Sequence, residues 1–183
     1  LSSLSLACTS MSFILGHKIL SQELKKGYDV KINDTTTSIL SAIEAISIKL
    51  KVQNINISLL TPYIDNIHNK YQKLMTSIGC NIIVDRNLNL TNDSLSSSVT
   101  VESIEKIIDE MITINPNIHI CIIVCSALNV TKYGFIDKLE KKYKKYFITS
   151  NQALLWNSLK ITLPNEMDHL INNIKGYGML FNL

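Results

Sequence analysis

Residues 118–124, IHICIIV, are apolar at every position but one. A run of this length and character reads as a central strand buried on both faces, which needs a parallel sheet covered by helices on either side. The rest of the chain fits that frame, because strand-sized and helix-sized segments alternate. Strands are expected over the tail at 1–7 and over 54–60, 80–84, 118–124 and 146–149. Helices are expected over 11–26, 35–50, 64–78, 101–114, 133–144, 150–159 and 165–175. In the first helix Phe13, Ile14, Ile19, Leu20 and Leu24 fall near one side, and Gly27 stops it. In the second, Ile39, Leu40, Ile43, Ile46 and Leu50 keep the 3.6 period, with capping hydroxyls at Thr35, Thr36 and Thr37. Thr100 caps the helix that opens at Val101, and Ser150-Asn151 cap the one that follows the last strand. Residues 86–99 are rich in Asn and Ser and read as a loop. A boundary near 52–54 divides the chain into residues 1–53, where only one strand is in view, and residues 54–160, a full strand–helix series. Residues 161–183 are expected to be a carboxyl-terminal helix packing back on the first part.

Composition narrows the function classes. The chain has 183 residues, room for one large domain or two small ones, and its 46% hydrophobic content excludes disorder. Its longest apolar runs are strand-sized, so no membrane span is expected, and no basic region precedes an apolar core at the start. Cytoplasmic residence is the expectation. The net charge is only +3, and many of the lysines crowd into 132–145, where a solvated helix face explains them better than a nucleic-acid patch. The cysteines at 8, 80, 121 and 125 form no CxxC pair and no Cys/His metal spacing, which leaves reduced thiols and no metal. The histidines at 17, 68, 119 and 169 do not cluster.

Two of those thiols occupy matching places. Cys8, in LSLACTS, and Cys125, in ICIIVCSAL, each end an apolar run and each precede a helical stretch. A thiol at a strand's carboxyl end lies where open α/β sheets bind ligands, and a helix amino terminus beside it favours the thiolate. One such thiol from each half can reach opposite faces of one small substrate. The hydroxyls of Thr9 and Ser10, with nearby backbone N–H groups, suit a carboxylate. Thr61-Pro62-Tyr63 puts a phenol just past another strand end. Thr35 to Thr37 suit either an anion or simple capping. Cys80 and Cys121 read as structural, Cys121 lying inside its strand.

Cys-Thr-Ser before a helix, Thr-Pro-Tyr after a strand, Val-Cys-Ser-Ala-Leu, and the run TSNQALLW at 149–156 follow one another in this order. Together they resemble the aspartate/glutamate racemase superfamily, in its maleate cis–trans isomerase and arylmalonate decarboxylase branch. The resemblance runs from Cys8 to about Lys160, and Ser-Asn-Gln-Ala-Leu-Leu-Trp is its most specific part. It implies an α/β fold of two pseudo-symmetric, Rossmann-like parallel-sheet domains with the active site between them, the first domain incomplete in this chain. The branch has a strand–helix series ahead of the first cysteine, with a substrate-binding Asn ending its first strand, and neither is present here.

The resemblance also implies roles. Cys8 and Cys125 become the paired catalytic residues. Thr9, Ser10, Tyr63, Ser126 and Ala127 become substrate contacts, and Asn92 is the candidate for an Asn the isomerase branch carries in the loop before the second cysteine's strand. Neither cofactor nor metal is implied, and the partner expected is a small carboxylate, with no nucleic acid or membrane. Self-association into a homo-oligomer stays open. Decarboxylase relatives lack the first cysteine, so Cys8 argues against that reaction. Three readings follow: a maleate isomerase-like enzyme acting on a small dicarboxylate, a racemase of aspartate, glutamate or hydantoin type, and a truncated, inactive homologue. No acidic or carbonyl partner for an α-ammonium group stands out, which tips the reading toward the isomerase.

Overall fold

The computed structural model describes residues 2–27, 29–166, 170 and 173–183. Its elements run β1 (Ser3–Leu6), α1 (Thr9–Lys25), β2 (Lys31–Asp34), α2 (Thr35–Leu50), β3 (Asn56–Thr61), α3 (Asp65–Ser77), β4 (Asn81–Asn87), α4 (Asp93–Ser98), α5 (Val101–Ile114), β5 (Ile120–Ile123), α6 (Phe135–Tyr143), β6 (Tyr146–Thr149) and α7 (Ser150–Thr162). The strands form two parallel sheets, a pair β1–β2 and a sheet of four in the order β4-β3-β5-β6. The larger sheet reverses its winding between β3 and β5, and the carboxyl ends of those two strands flank the crevice such a reversal opens.

Side chains alternate along β5 as a doubly covered strand requires. Ile120 and Ile122 join one core with Ile57 and Leu59 of β3, Ile39 and Ile46 of α2, and Trp156 of α7. Cys121 and Ile123 join the opposite core, with Ile104 and Ile108 of α5 and Leu139 of α6. Each face therefore has its own helical cover, which explains why 118–124 carries almost no polar residue.

Three expectations need correction. The first half holds two strands rather than one. β2 escapes a sequence reading because it is only KIND, with Asn33 and Asp34 buried through hydrogen bonds instead of apolar packing. In α1 the apolar side does not persist: Gly16 adopts φ 75° and ψ 154°, the helix kinks, and Leu20 is buried while Ile14 and Ile19 are exposed. Residues 86–99 are not all loop, since β4 extends to Asn87 and α4 follows.

α7 joins the two sheets. It leaves the end of β6 and packs along α2 and over β1–β2. Its far half faces the smaller sheet with Asn157 and Ser158. Asn157 donates to Asn33 Oδ1 at 2.9 Å, Asn33 donates to Ser158 Oγ at 3.0 Å, and Ser158 pairs with Ser5 at 2.7 Å. Buried amides are tolerated only when satisfied in this way. The helix expected over 165–175 falls largely outside the described residues. The tail after it docks on α6 and α7: Gly178 N–H donates to Asp137, Met179 N–H to Glu140, and Gln152 Nε2 to the Tyr177 carbonyl.

Glu140 is the acid that holds this tail. Only 5% exposed, it accepts N–H bonds from Phe147 and Met179, yet burial pushes its carboxyl up from the usual range to about 7. The folded state therefore keeps a proton that the unfolded chain has lost. Glu140's share of the stability is full below its ordinary value and falls as pH rises toward 7. Thermal melts between pH 4.5 and 7.5 are expected to show this decline in the native protein and a flatter profile in E140Q.

Candidate active site

Cys8 lies two residues past the end of β1 and is the N-cap residue of α1, half-buried, with its sulfur 3.7 Å from the Ser10 hydroxyl. Cys125 follows β5 and is 5% exposed. The residues after the two thiols touch: Thr9 Oγ1 and Ser126 Oγ lie 2.8 Å apart, although 117 positions separate them in the chain. One hydrogen bond thus holds the two cysteine-bearing turns against each other.

Tyr63, two residues past the end of β3, stands beside Cys125 and Thr9. Its hydroxyl is buried, faces the Cys125 sulfur and the Thr9 hydroxyl, and has no partner in good hydrogen-bonding geometry. Burial, then the neighbouring thiol, holds the phenol well above its ordinary range, so it is a donor at any physiological pH.

The turn at Cys125 is strained. Its φ of 122° is one that residues with a Cβ rarely adopt, a distortion worth about 1–3 kcal/mol. In this turn the Leu128 N–H donates to the Cys125 carbonyl at 3.3 Å, and the Ala127 and Leu128 amides, with the Tyr63 hydroxyl from beyond β3, lie near enough to the sulfur to favour the thiolate. Burial outweighs them and leaves the thiol above its usual value, and the Asp93 carboxylate adds to that. Cys80 and Cys121 sit in the cores, where burial pushes them up to about 11 and about 12. They are held as thiols away from the cleft.

Cys8, Thr9, Ser10, Tyr63, Cys125, Ser126 and Ala127 therefore gather in one place. Asn92 does not join them through its side chain. It is exposed and caps α4, its Oδ1 accepting the Leu95 N–H at 2.9 Å. The adjacent Asp93 is the residue whose charge reaches Cys125. Thr35, Thr36 and Thr37 do not cap α2 either. Asp34 does, accepting the Thr37 N–H, while Thr35 donates to Ser12, which in turn donates to the Cys8 carbonyl.

Sequence reasoning missed two features near the cleft. Ser150 and Asn151 are not the cap of α7; Thr149 and Gln152 form a reciprocal capping box there. Ser150 Oγ instead accepts the Cys125 N–H at 3.0 Å, and Asn151 donates to the Ser126 carbonyl at 3.0 Å. The SNQ motif was the available signal. The second is a chain at the end of β3, in which the buried His68 bridges Thr61 and the more exposed Asp85 at 2.9 Å each. Nothing in the spacing of these three residues announces it. Among the described residues no group of three His, Cys, Asp or Glu side chains is placed to hold a metal, and no helix is long and apolar enough to cross a membrane.

A parallel α/β fold in two sheets, with residues that follow β1, β3 and β5 brought together at the strands' carboxyl ends, defines the class. The arylmalonate decarboxylase family model matches residues 1–180, and the chain belongs to that family. Solved structures share the fold. A crystal structure of arylmalonate decarboxylase is 19% identical with a TM-score of 0.77, over 99% of this chain and 75% of that one. The Nocardia farcinica maleate cis-trans isomerase bound to TRIS is 13% identical with a TM-score of 0.80, over 98% and 70%. A cysteine-to-alanine variant of the maleate isomerase from Pseudomonas putida S16, with maleate, is 15% identical with a TM-score of 0.76, over 99% and 70%. No curated protein matches the chain.

The unpartnered phenol gives a direct test of the cleft's polarity. Tyr63→Phe removes a buried hydroxyl that folding leaves unpaired, so unfolding in urea is expected to show a gain of about 1 kcal/mol. A loss of that size would mean that the hydroxyl is bonded within the fold.

Proposed function

We propose that this chain is a cofactor-independent isomerase that converts a small cis-enedioate such as maleate into its trans form, using Cys8 and Cys125. The observation that carries the proposal is the hydrogen bond between Thr9 and Ser126, which joins the two thiol-bearing turns, with an unpaired phenol beside it. A covalently bound succinylcysteine is present in a cysteine-to-serine variant of the Nocardia farcinica isomerase. Thiol addition to a double bond is the corresponding step here.

The environments of the two sulfurs differ, and the division of labour follows. Cys8 is half-buried, while Cys125 is buried and held in its protonated form by desolvation. The Cys8 thiolate adds to one alkene carbon. A carbon–sulfur bond forms, and the π pair moves onto the second alkene carbon and its carboxylate as an enediolate. Hydrogen bonds from Tyr63, Thr9, Ser10 and the Ala127 N–H stabilise that charge. Cys125 delivers a proton to the carbanionic carbon, and its thiolate is received by the Ala127 and Leu128 N–H groups. Rotation about the new single bond follows. Cys125 then takes a proton back, the pair re-forms the double bond, and the Cys8 thiolate leaves. Ser126 holds Thr9 in place.

Incubation with maleate, followed by proton NMR, is expected to show fumarate. C8S and C125S are each expected to lower kcat/KM on the order of a thousandfold. Y63F is expected to cost about a hundredfold in kcat with less effect on KM. Turnover that survives either cysteine change contradicts the two-thiol scheme. Racemisation of L-aspartate without maleate turnover would move the same thiols to α-proton exchange.

A further inference from the structure

The motif SNQ at 150–152 divides its work in a way that capping does not explain. Thr149 and Gln152 cap α7 by themselves. Ser150 is fully buried, and its hydroxyl faces backward, accepting the Cys125 N–H at 3.0 Å. Asn151 reaches the far side of Cys125 and donates to the Ser126 carbonyl at 3.0 Å. The strained residue therefore has a side chain of α7 on each side of it. Upstream, the Val124 N–H is fixed to the Leu60 carbonyl at 2.9 Å.

We propose that Ser150 and Asn151 are positioning residues for Cys125, a clamp that holds its turn at positive φ so that the Ala127 and Leu128 N–H groups stay close to the sulfur. The proposal deepens the isomerase reading by identifying what prepares that site for a thiolate. A backbone conformation this rare persists only where its surroundings over-determine it. The two α7 contacts supply that, one on the amide before the Cys125 α-carbon and one on the carbonyl of the following residue. With the clamp removed, the turn relaxes toward negative φ and the two N–H groups swing off the sulfur. The buried thiolate then loses the donors that offset its desolvation. The titratable groups that act on this thiol are Tyr63, beyond β3, and Asp93, at the start of α4. Neither contacts the clamp in the hydrogen bonds described, so a change produced at Ser150 reports the clamp and not those groups.

The test is alkylation of Cys125 by iodoacetamide as a function of pH, read by peptide mass spectrometry on the full chain. Cys8 in the same sample serves as the internal control. In S150A the Cys125 midpoint is expected to rise by about one unit, with a roughly tenfold slower reaction near neutral pH and no change at Cys8. S150T, which retains the hydroxyl, is expected to restore the profile. N151D, which exchanges the donor for an acceptor, is expected to move it as S150A does. Should S150A lose its cooperative melt, N151D carries the measurement, because Asn151 lies nearer the surface. A folded S150A or N151D with the native Cys125 profile overturns the clamp. None of these readings needs an enedioate, so failure to isomerise maleate would refute the function above and leave the clamp standing or falling on its own result.

Discussion

One helix sets the geometry on which everything else rests. α7 begins at the carboxyl end of the large sheet, where Ser150 and Asn151 hold the turn carrying Cys125. Its far half lies on the small sheet, where Asn157 and Ser158 hold Asn33 and Ser5. Cys8 follows the strand that contains Ser5. A single rigid rod therefore seats both thiol-bearing strands, and the hydrogen bond between Thr9 and Ser126 closes the gap at the top. A short helix can transmit this much order because its polar contacts are satisfied and buried, which fixes direction more sharply than apolar packing alone.

The two sulfurs arrive in unlike surroundings. Cys125 is enclosed, strained and supplied with backbone donors. Cys8 is more open, at the head of a helix, beside a hydroxyl. Equivalent thiols would suit a symmetric proton exchange. Unlike ones suit a scheme in which one sulfur bonds to carbon while the other carries a proton. The Tyr63 phenol fits such a scheme as well, since burial keeps its proton in place and no protein group holds it in good hydrogen-bonding geometry.

Much of the fold was legible because the large sheet obeys a simple rule. A strand buried on both faces must be apolar throughout, and 118–124 is. α2, at Thr35–Leu50, was equally plain, since Ile39, Ile43 and Ile46 all face the core and no glycine interrupts the period. The small sheet was not legible in full. β2 buries Asn33 and Asp34 through hydrogen bonds with residues distant in sequence, a pattern that hydropathy cannot register. The site was legible as motifs but not as contacts. Cys8, Tyr63 and Cys125 advertised themselves by following strands. The clamp at Ser150 and Asn151 looked like a helix cap, because Ser and Asn do serve there, and only the capping box at Thr149 and Gln152 shows them to be free for other work. Asn92 illustrates the opposite error, an amide expected to meet substrate that spends its carbonyl on its own helix.

The central claim is that Cys8 and Cys125 face one another across a shared cleft. Dibromobimane, which fluoresces strongly once it has bridged two neighbouring thiols, measures this directly in the native protein. The account predicts a fluorescent product whose peptide map joins the Cys8 and Cys125 segments, lost when either residue is serine. Separate single-thiol adducts on Cys8 and Cys125, with no bridged peptide, would contradict it.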